Sequence, residues 1–420
     1  MDFITSMPPS QLLKTFDEDL QEFYYAVINR ELDVTSSGNG LKMKRALTEI
    51  VRAYIKETTK NGASKISFDS SAKRCAYVMK HSPCFTAAVA KHLLNLLISN
   101  PHRLQKCVLQ QRLNVCCIGG GPASDVVAVS KIVTSVYHCL SRNRKKLNFT
   151  VTVIDLSEGW ETTGKNVMKT LKCNPQFFNA EEMTLNYKFI KADLTQPLKS
   201  DVKDVLMNAD VLTMVYFLSA VNGSSAKDKS PKMLEEIFKL MKTGAFLLYL
   251  DSAVVGHYEG ISAVAKNLGN LNVIYGPHLN YLHTLSLSSV KKHLELYAEH
   301  VNAFCGLTHC FLSTCAWVKM DHHQPSEKFR TPKKLLRYIA REDCDCYSRN
   351  YEKKKAHYMT NKLLIYCSRL QRLLIEKFGY ACYEFEEEDD ILDLATSVKL
   401  NNTTLFQTKS KKKRIFTNFD

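Results

Sequence analysis

Three consecutive glycines, Gly119, Gly120 and Gly121, stand between one apolar run and a second that begins at Ser124. Leu113 and Val115 to Ile118 read as a strand buried on both faces, the glycines as a tight turn, and Ser124 onward as the start of a helix. Without Cβ atoms such a turn lets a ligand approach the backbone, and the helix start offers unpaired N–H groups at a positive dipole end. Carboxylates follow at defined places. Asp125 opens the helix, Asp155 closes the apolar stretch Val151 to Ile154, and Asp193, followed by Leu194, closes Tyr187 to Ala192. Ionised carboxylates only accept hydrogen bonds, so at strand ends they suit hydroxyl and amino groups of a ligand lying across the carboxyl edge of a parallel sheet.

Spacing narrows the ligand. The run Gly119-Gly120-Gly121-Pro122-Ala123 also resembles a flavin fingerprint, in which a third glycine packs helix against strand beneath a pyrophosphate. Here that place holds Ser124, followed by Asp125. A carboxylate at the mouth opposes a pyrophosphate and tolerates a cationic ligand. Asp155 arrives about 36 residues after Gly119, where a dinucleotide site expects roughly 20. The surplus goes into a long first helix, Val126 to Leu140, and a basic loop, Arg142 to Lys146. Asp210 to Ser219 reads as a fourth strand.

In order, the glycine turn, Asp155, Asp193 and the fourth strand resemble the class I S-adenosylmethionine-dependent methyltransferases over roughly residues 75 to 320. The resemblance implies an α/β fold with a Rossmann-like seven-stranded sheet and S-adenosylmethionine as cofactor. It places Gly119, Gly120 and Gly121 under the methionine part, Asp155 on the ribose and Asp193 on the adenine amino group, with Leu156 and Leu194 beside those acids. Trp160, just beyond the ribose acid, offers a flat apolar face to adenine or sugar, or packs in the core. Asp125 faces the ammonium or sulfonium side of the cofactor, or caps its helix. The Gly-Gly-Gly-Pro-x-Ser-Asp loop with a long following helix is similar to uridine-N3 ribosomal RNA methyltransferases described from fungi, which implies an RNA acceptor. A protein or small-molecule methyltransferase of the same fold stays open. So do a flavin or nicotinamide oxidoreductase and a catalytically silent methyltransferase fold serving as a binding module.

Methyl transfer from a sulfonium is an in-line displacement, so most of the acceleration comes from holding donor and acceptor aligned. A weakly acidic acceptor also needs a base. Tyr216, at the end of the fourth strand, is the candidate wall of the acceptor pocket. Asp251, His257 and His278, at later strand ends, are candidate bases. No Asn/Asp-Pro-Pro-aromatic tetrad points to an exocyclic amino group, and no Pro-Cys is placed to attack a pyrimidine carbon.

These groups need elements to hold them. Residues 1–70 show helical spacing, with Leu12, Leu13, Phe16, Leu20, Phe23, Tyr24 and Ile28 in one stripe and Leu47, Ile50, Val51, Tyr54 and Ile55 in another; we read a helical N-terminal cap. Pro83 is suited to head a helix from Cys84 to Leu97, and Tyr77, just before it, could line the cofactor pocket. Residues 71–322 form the predicted methyltransferase core. Within it, Pro231 to Met241 is a helix, Ala245 to Asp251 a fifth strand, Leu271 to Tyr275 a short strand, Val290 to His300 a helix and Phe311 to Met320 a closing strand. By analogy with the family, the late strands form an antiparallel hairpin. Residues 323–420 read as a basic, partly helical appendage and tail. Arg330, Lys333, Lys334, Arg337 and Lys353 to Lys355 interleave there with Tyr338, Tyr347, Tyr351 and Tyr358, a mixture that suits single-stranded RNA. Lys362 to Phe378 is an amphipathic helix, Glu384 to Asp390 an acidic linker, and Lys409 to Arg414 a basic cluster. His322, His323, Cys344, Cys346, Cys367 and Cys382 lack metal-ligand spacing, so no metal is expected.

The 420 residues carry a formal net charge of +15, which favours an acidic partner, nucleic acid first. No run of about 18 apolar residues and no basic-then-apolar leader occurs, so neither a membrane span nor secretion is expected. The 14 cysteines then read as reduced thiols in a cytoplasmic or nuclear protein.

Overall fold

The computed structural model describes Leu13 and residues 15–321, apart from 37, 59–66, 141–145, 223–228, 254–256, 302–305 and all of 101–109 except Arg103 and Cys107. The chain divides after Pro325, and the first unit is the one described. The expected basic segment, the helix Lys362 to Phe378, the acidic run, the cluster Lys409 to Arg414 and the His322–Cys382 metal candidates lie outside the described residues.

Three helices come first: α1 (Phe16–Glu31), α2 (Asn39–Thr58) and α3 (Ser71–Ser99). Strand and helix then alternate through β1 (Arg112–Ile118), α4 (Ser124–Leu140), β2 (Leu147–Asp155), α5 (Trp160–Lys172), β3 (Met183–Lys191), α6 (Ser200–Asn208) and β4 (Val211–Val215). A short α7 (Phe217–Asn222), α8 (Ser230–Leu240), β5 (Phe246–Ser252), α9 (His257–Leu268), β6 (Leu271–Thr284), α10 (Leu287–Val301) and β7 (His309–Lys319) complete the unit. The strands form one seven-stranded sheet in the order β3-β2-β1-β4-β5-β7-β6. β1 to β5 run parallel, while β7 lies antiparallel to both β5 and β6.

Because the parallel strands are covered on both faces, they read as apolar runs without alternation. Val115, Cys117, Val151, Val153, Leu248 and Leu250 pack with α1 to α5 and α10 on one side. Cys116, Ile118, Ile154, Leu212, Met214 and Leu247 pack with α6, α8 and α9 on the other. Phe16, Phe23, Tyr24, Leu47 and Ile50 belong to the first of these cores, so the apolar stripes of α1 and α2 extend the packing that covers the sheet. Among the described residues no helix is long and apolar enough to cross a membrane, and the described cysteines are free thiols.

Three boundaries differ from expectation for physical reasons. Pro83 does not head a helix; it lies inside the continuous α3. An internal proline forfeits one backbone hydrogen bond and costs about 3 kcal/mol, but nearly every residue from Arg74 to Leu97 is buried, and that packing outweighs the loss. The fourth strand stops at Val215, because Tyr216 turns to a positive φ of 51° and α7 starts at once. β6 is longer than the predicted Leu271 to Tyr275, since three register shifts carry its pairing with β7 on to Thr284.

β1 is the point from which the chain winds outward, through β2 and β3 one way and β4 and β5 the other. Ligands of doubly wound sheets bind in the crevice at the carboxyl ends beside such a strand. The glycine turn follows β1 directly.

Candidate cofactor and acceptor site

The turn after β1 is locked to the end of β2. The Gly119 N–H donates to the Ile154 carbonyl (2.8 Å) and the Ala123 N–H to the Gly120 carbonyl (2.7 Å). Gly119 has a φ of +63°, and a Cβ built there would stand 2.3 Å from Cδ2 of Phe217. A left-handed backbone costs a side-chain-bearing residue about 1–2 kcal/mol. Gly119→Ala is therefore expected to lower unfolding free energy by at least about that amount, with the clash against α7 added. Urea denaturation measures it: a loss of only about 1–2 kcal/mol would show that Phe217 moves aside, and an unchanged midpoint would mean that the turn does not hold Gly119 in the left-handed region.

Asp155 closes β2 with its carboxylate under the turn. The Gly121 N–H donates to Oδ2 (3.0 Å) and the Ser157 N–H to Oδ1 (2.9 Å). Burial pushes its pKa up to about 6 against these hydrogen bonds. A carboxylate has about four acceptor positions, so Asp155 can still take hydroxyl donors. A Cβ at Gly121 would sit 3.7 Å from Asp155 Oδ2 and 3.6 Å from Trp160 Nε1. Gly121 thus lies within van der Waals reach of both the acid and the indole. The remaining acceptor positions of Asp155 fit the hydroxyl donors of a nucleoside diol.

Asp193 lies two residues past Lys191, which pairs with Asp155 across β2 and β3, so both acids stand at the same sheet edge as the glycine turn. Its Oδ1 accepts from the N–H (3.0 Å) and hydroxyl (2.7 Å) of Thr195. Partial desolvation raises its pKa, but the Thr195 hydrogen bonds outweigh that and leave the carboxyl below its ordinary value. Leu156 is 58% exposed beside Asp155, and its apolar side chain faces solvent at the sheet edge.

Helix α3 supplies a wall that motif reading did not assemble. Trp160 lies 4.7 Å from Phe68 and 5.5 Å from Tyr77, ring centre to ring centre. From Tyr77 the contacts run to His81 (4.6 Å), then Phe85 (5.4 Å), which stacks on Tyr216 at 4.0 Å. Tyr77, His81 and Phe85 are four residues apart, one face of a helix. That spacing was legible, but the rings they meet were not. Arg74, paired with buried Glu31 at 2.6 Å, also donates to the carbonyls of Phe68 (2.8 Å) and Asp69 (2.7 Å), so Phe68 is held in place. Ser82 accepts from the Ser124 hydroxyl (2.8 Å) and Thr86 donates to the Ser124 carbonyl (3.0 Å), pinning α3 over the start of α4.

Five expected site residues are placed elsewhere. Asp125 is only 2% exposed; the Thr213 hydroxyl and the Val126 N–H donate to it, so it ties α4 to β4 and does not open on the mouth. Leu194 is buried among Ile118, Ile154 and Ile190, on the sheet face away from α3. Asp251 is fully buried and accepts from the N–H groups of Leu218 (2.9 Å), Ser219 (3.2 Å) and Ser252 (2.7 Å). It holds the start of α7 and so the Tyr216 turn, as a positioning residue and not a base. His278 pairs with Thr314, which pairs with Leu250, whose carbonyl accepts from the Tyr216 N–H. That row places it three strands from Tyr216, roughly 14 Å, against Tyr275 and His92. His257 meets Asn222 at 2.8 Å beyond α7. Tyr216 itself stands at the end of β4, and burial raises its phenol well above the ordinary value. It stays protonated and can form a wall.

Comparison with known proteins places the chain in a family. Residues 39–352 match the profile of a family described as SAM-dependent methyltransferases. The 25S rRNA (uridine(2843)-N(3))-methyltransferase of Saccharomyces cerevisiae is 24% identical over 274 residues, 61% of this chain and 69% of that protein. Among solved structures, an O-methyltransferase family protein from Burkholderia thailandensis aligns over 69% of this chain and 74% of its own at 13% identity, with a TM-score of 0.34. An rRNA methylase from Streptococcus thermophilus aligns over 53% and 96% at 8% identity, with a TM-score of 0.28.

Proposed function

Because the chain belongs to the family of SAM-dependent methyltransferases, with S-adenosylmethionine as methyl donor, we propose that its acceptor is RNA, modified at the ring nitrogen N3 of uridine. One observation carries the choice of acceptor: the yeast relative is named for that atom of 25S rRNA. The formal net charge of +15 supports it, because a polyanion releases counterions on binding a basic protein. The basic, tyrosine-rich stretch after His322 is then a second RNA contact, and the enzyme works in the nucleus or cytoplasm.

When bound, S-adenosylmethionine supplies a methyl group on a sulfonium. Asp155 would accept the ribose hydroxyls and Asp193 the adenine amino group, with Leu156 and Tyr77 beside the adenosine and Trp160, 3% exposed, packed behind Tyr77. The backbone of Gly119 to Gly121 would hold the methionine part. Tyr216, stacked on Phe85, walls the acceptor side. A uridine imide must lose its N3 proton; Tyr216 stays protonated and the Asp251 oxygens are engaged by backbone N–H groups, so the proton passes to solvent. Alignment of donor and acceptor is therefore the main contribution of these residues.

The test is incubation with methyl-labelled S-adenosylmethionine and total rRNA, followed by nuclease digestion and mass spectrometry of nucleosides. Label is expected in N3-methyluridine. Label confined to protein or small molecules would overturn the acceptor.

A further inference from the structure

On the basis of the RNA reading, we infer that the outward face of α2 is a docking surface for the RNA phosphate backbone, leading the strand to the cofactor rim. Met43, Ala46, Leu47 and Ile50 are the buried side of this helix. The opposite side exposes Lys42, Lys44, Arg45 and Arg52, beside Leu41 at 52% exposure. No acid occupies the first turn. Glu49, the acid on this face among the described side chains, is engaged by Lys73 of α3 at 2.9 Å. Lys42 bonds to the Asn39 side chain, and among the described residues Lys44, Arg45 and Arg52 form no ion pair. Their charge is unspent within the fold.

The neighbouring helix α1 has the opposite character. Asp17, Glu18 and Asp19 crowd its first turn, Glu22 pairs with Lys292 and Glu31 with Arg74. Charge is thus segregated between two consecutive helices that each pack on α3. At the centre of the basic face stand two arginines, Arg45 and Arg52. Seven residues on a helix span about 10.5 Å, a distance that lets both reach one RNA strand, and planar guanidinium groups bind phosphate in two-pronged fashion.

Position supplies the link to chemistry. Glu49 holds Lys73, and Tyr77, one turn further along α3, is the ring that meets Trp160 at 5.5 Å. Arg52 is one turn beyond Glu49. The Glu49–Lys73 contact therefore sets the basic face against the first turn of α3, the helix that also carries the aromatic wall.

The experiment compares the full chain with K44E/R45E/R52E and with the milder K44Q/R45Q/R52Q. Binding is read by fluorescence anisotropy with a labelled 20-nucleotide oligo(U) across a salt series, alongside calorimetric S-adenosylmethionine affinity. Each lost contact lowers the slope of log affinity against log salt by about 0.7. The glutamine variant is expected to drop it by about 2, with affinity at least roughly ten-fold weaker and cofactor binding unchanged. The charge reversal should weaken RNA further. Wild-type binding matched by both variants would overturn the docking face while leaving the RNA acceptor standing. Failure of the wild-type protein to bind oligo(U) or rRNA at any salt would overturn both. Variants that lose capture by anionic vesicles yet keep RNA affinity would assign the face to a lipid surface instead.

Discussion

Asp155→Ala is expected to weaken S-adenosylmethionine binding by more than about 100-fold, because two hydroxyl hydrogen bonds to a carboxylate contribute roughly 1.5–3 kcal/mol each. The same carboxyl makes binding pH-dependent. Burial raises its pKa to about 6, and only the ionised form accepts from both ribose hydroxyls. The ionised fraction falls from about nine-tenths at pH 7 to about one-quarter at pH 5.5, so wild-type affinity should drop about fourfold over that interval. Asp155→Ala should be weak and flat across it. Calorimetric titration at the two pH values measures both effects. An alanine variant with native affinity would remove Asp155 from the ribose, and a flat wild-type profile would mean that the bound hydroxyls meet some other acceptor.

How much of this could be read from residue order alone follows from where each interaction is made. The glycine turn, Asp155 and Asp193 were legible because each is set by local chemistry: an apolar run buried on both faces, then a residue that ends it at the sheet edge. Asp125 and Asp251 look the same in the sequence and behave differently. The partner of Asp125 is Thr213, 88 residues away, and Asp251 reaches back to the N–H groups of α7. Neither pairing leaves a mark beside the acid. The aromatic wall was half legible, since Tyr77, His81 and Phe85 follow helical spacing while Trp160 and Tyr216 come from other elements. β6 was read short because its register shifts break the period-two pattern. They also bring Tyr275, His278 and Tyr281 opposite Ala316, Thr314 and Leu312, so residues three apart share one face. Fold followed from burial pattern. Function at a given carboxylate depended on long-range partners.

Those long-range burials predict acid sensitivity. Burial holds His81 and His92 well below imidazole's ordinary value, and places His283 and His293 at about 3. All four are neutral when folded, whereas in the unfolded chain they take up protons below about pH 6.5. Acidification therefore favours unfolding, and their contribution to stability is lost as pH falls through 6.5 toward 3. Asp155 and Asp251, each raised to about 6 by burial, act in the opposite direction. They bind protons in the folded state first, so acidification from pH 6 toward 4 relieves the cost of keeping them ionised. Protonation of the histidines on unfolding starts below about pH 6.5, before the buried carboxyls near 6 are fully protonated, so stability is expected to fall as the pH drops through that range. Urea denaturation at pH 7.5, 6.5 and 5.5 should show the midpoint falling steeply below 6.5. The pair His283→Gln and His293→Gln should flatten that slope by about half of the histidine contribution, whatever it does to the midpoint at pH 7.5. A wild-type midpoint that stays constant from pH 7.5 to 5.5 would mean that these imidazoles are not held neutral in the folded core.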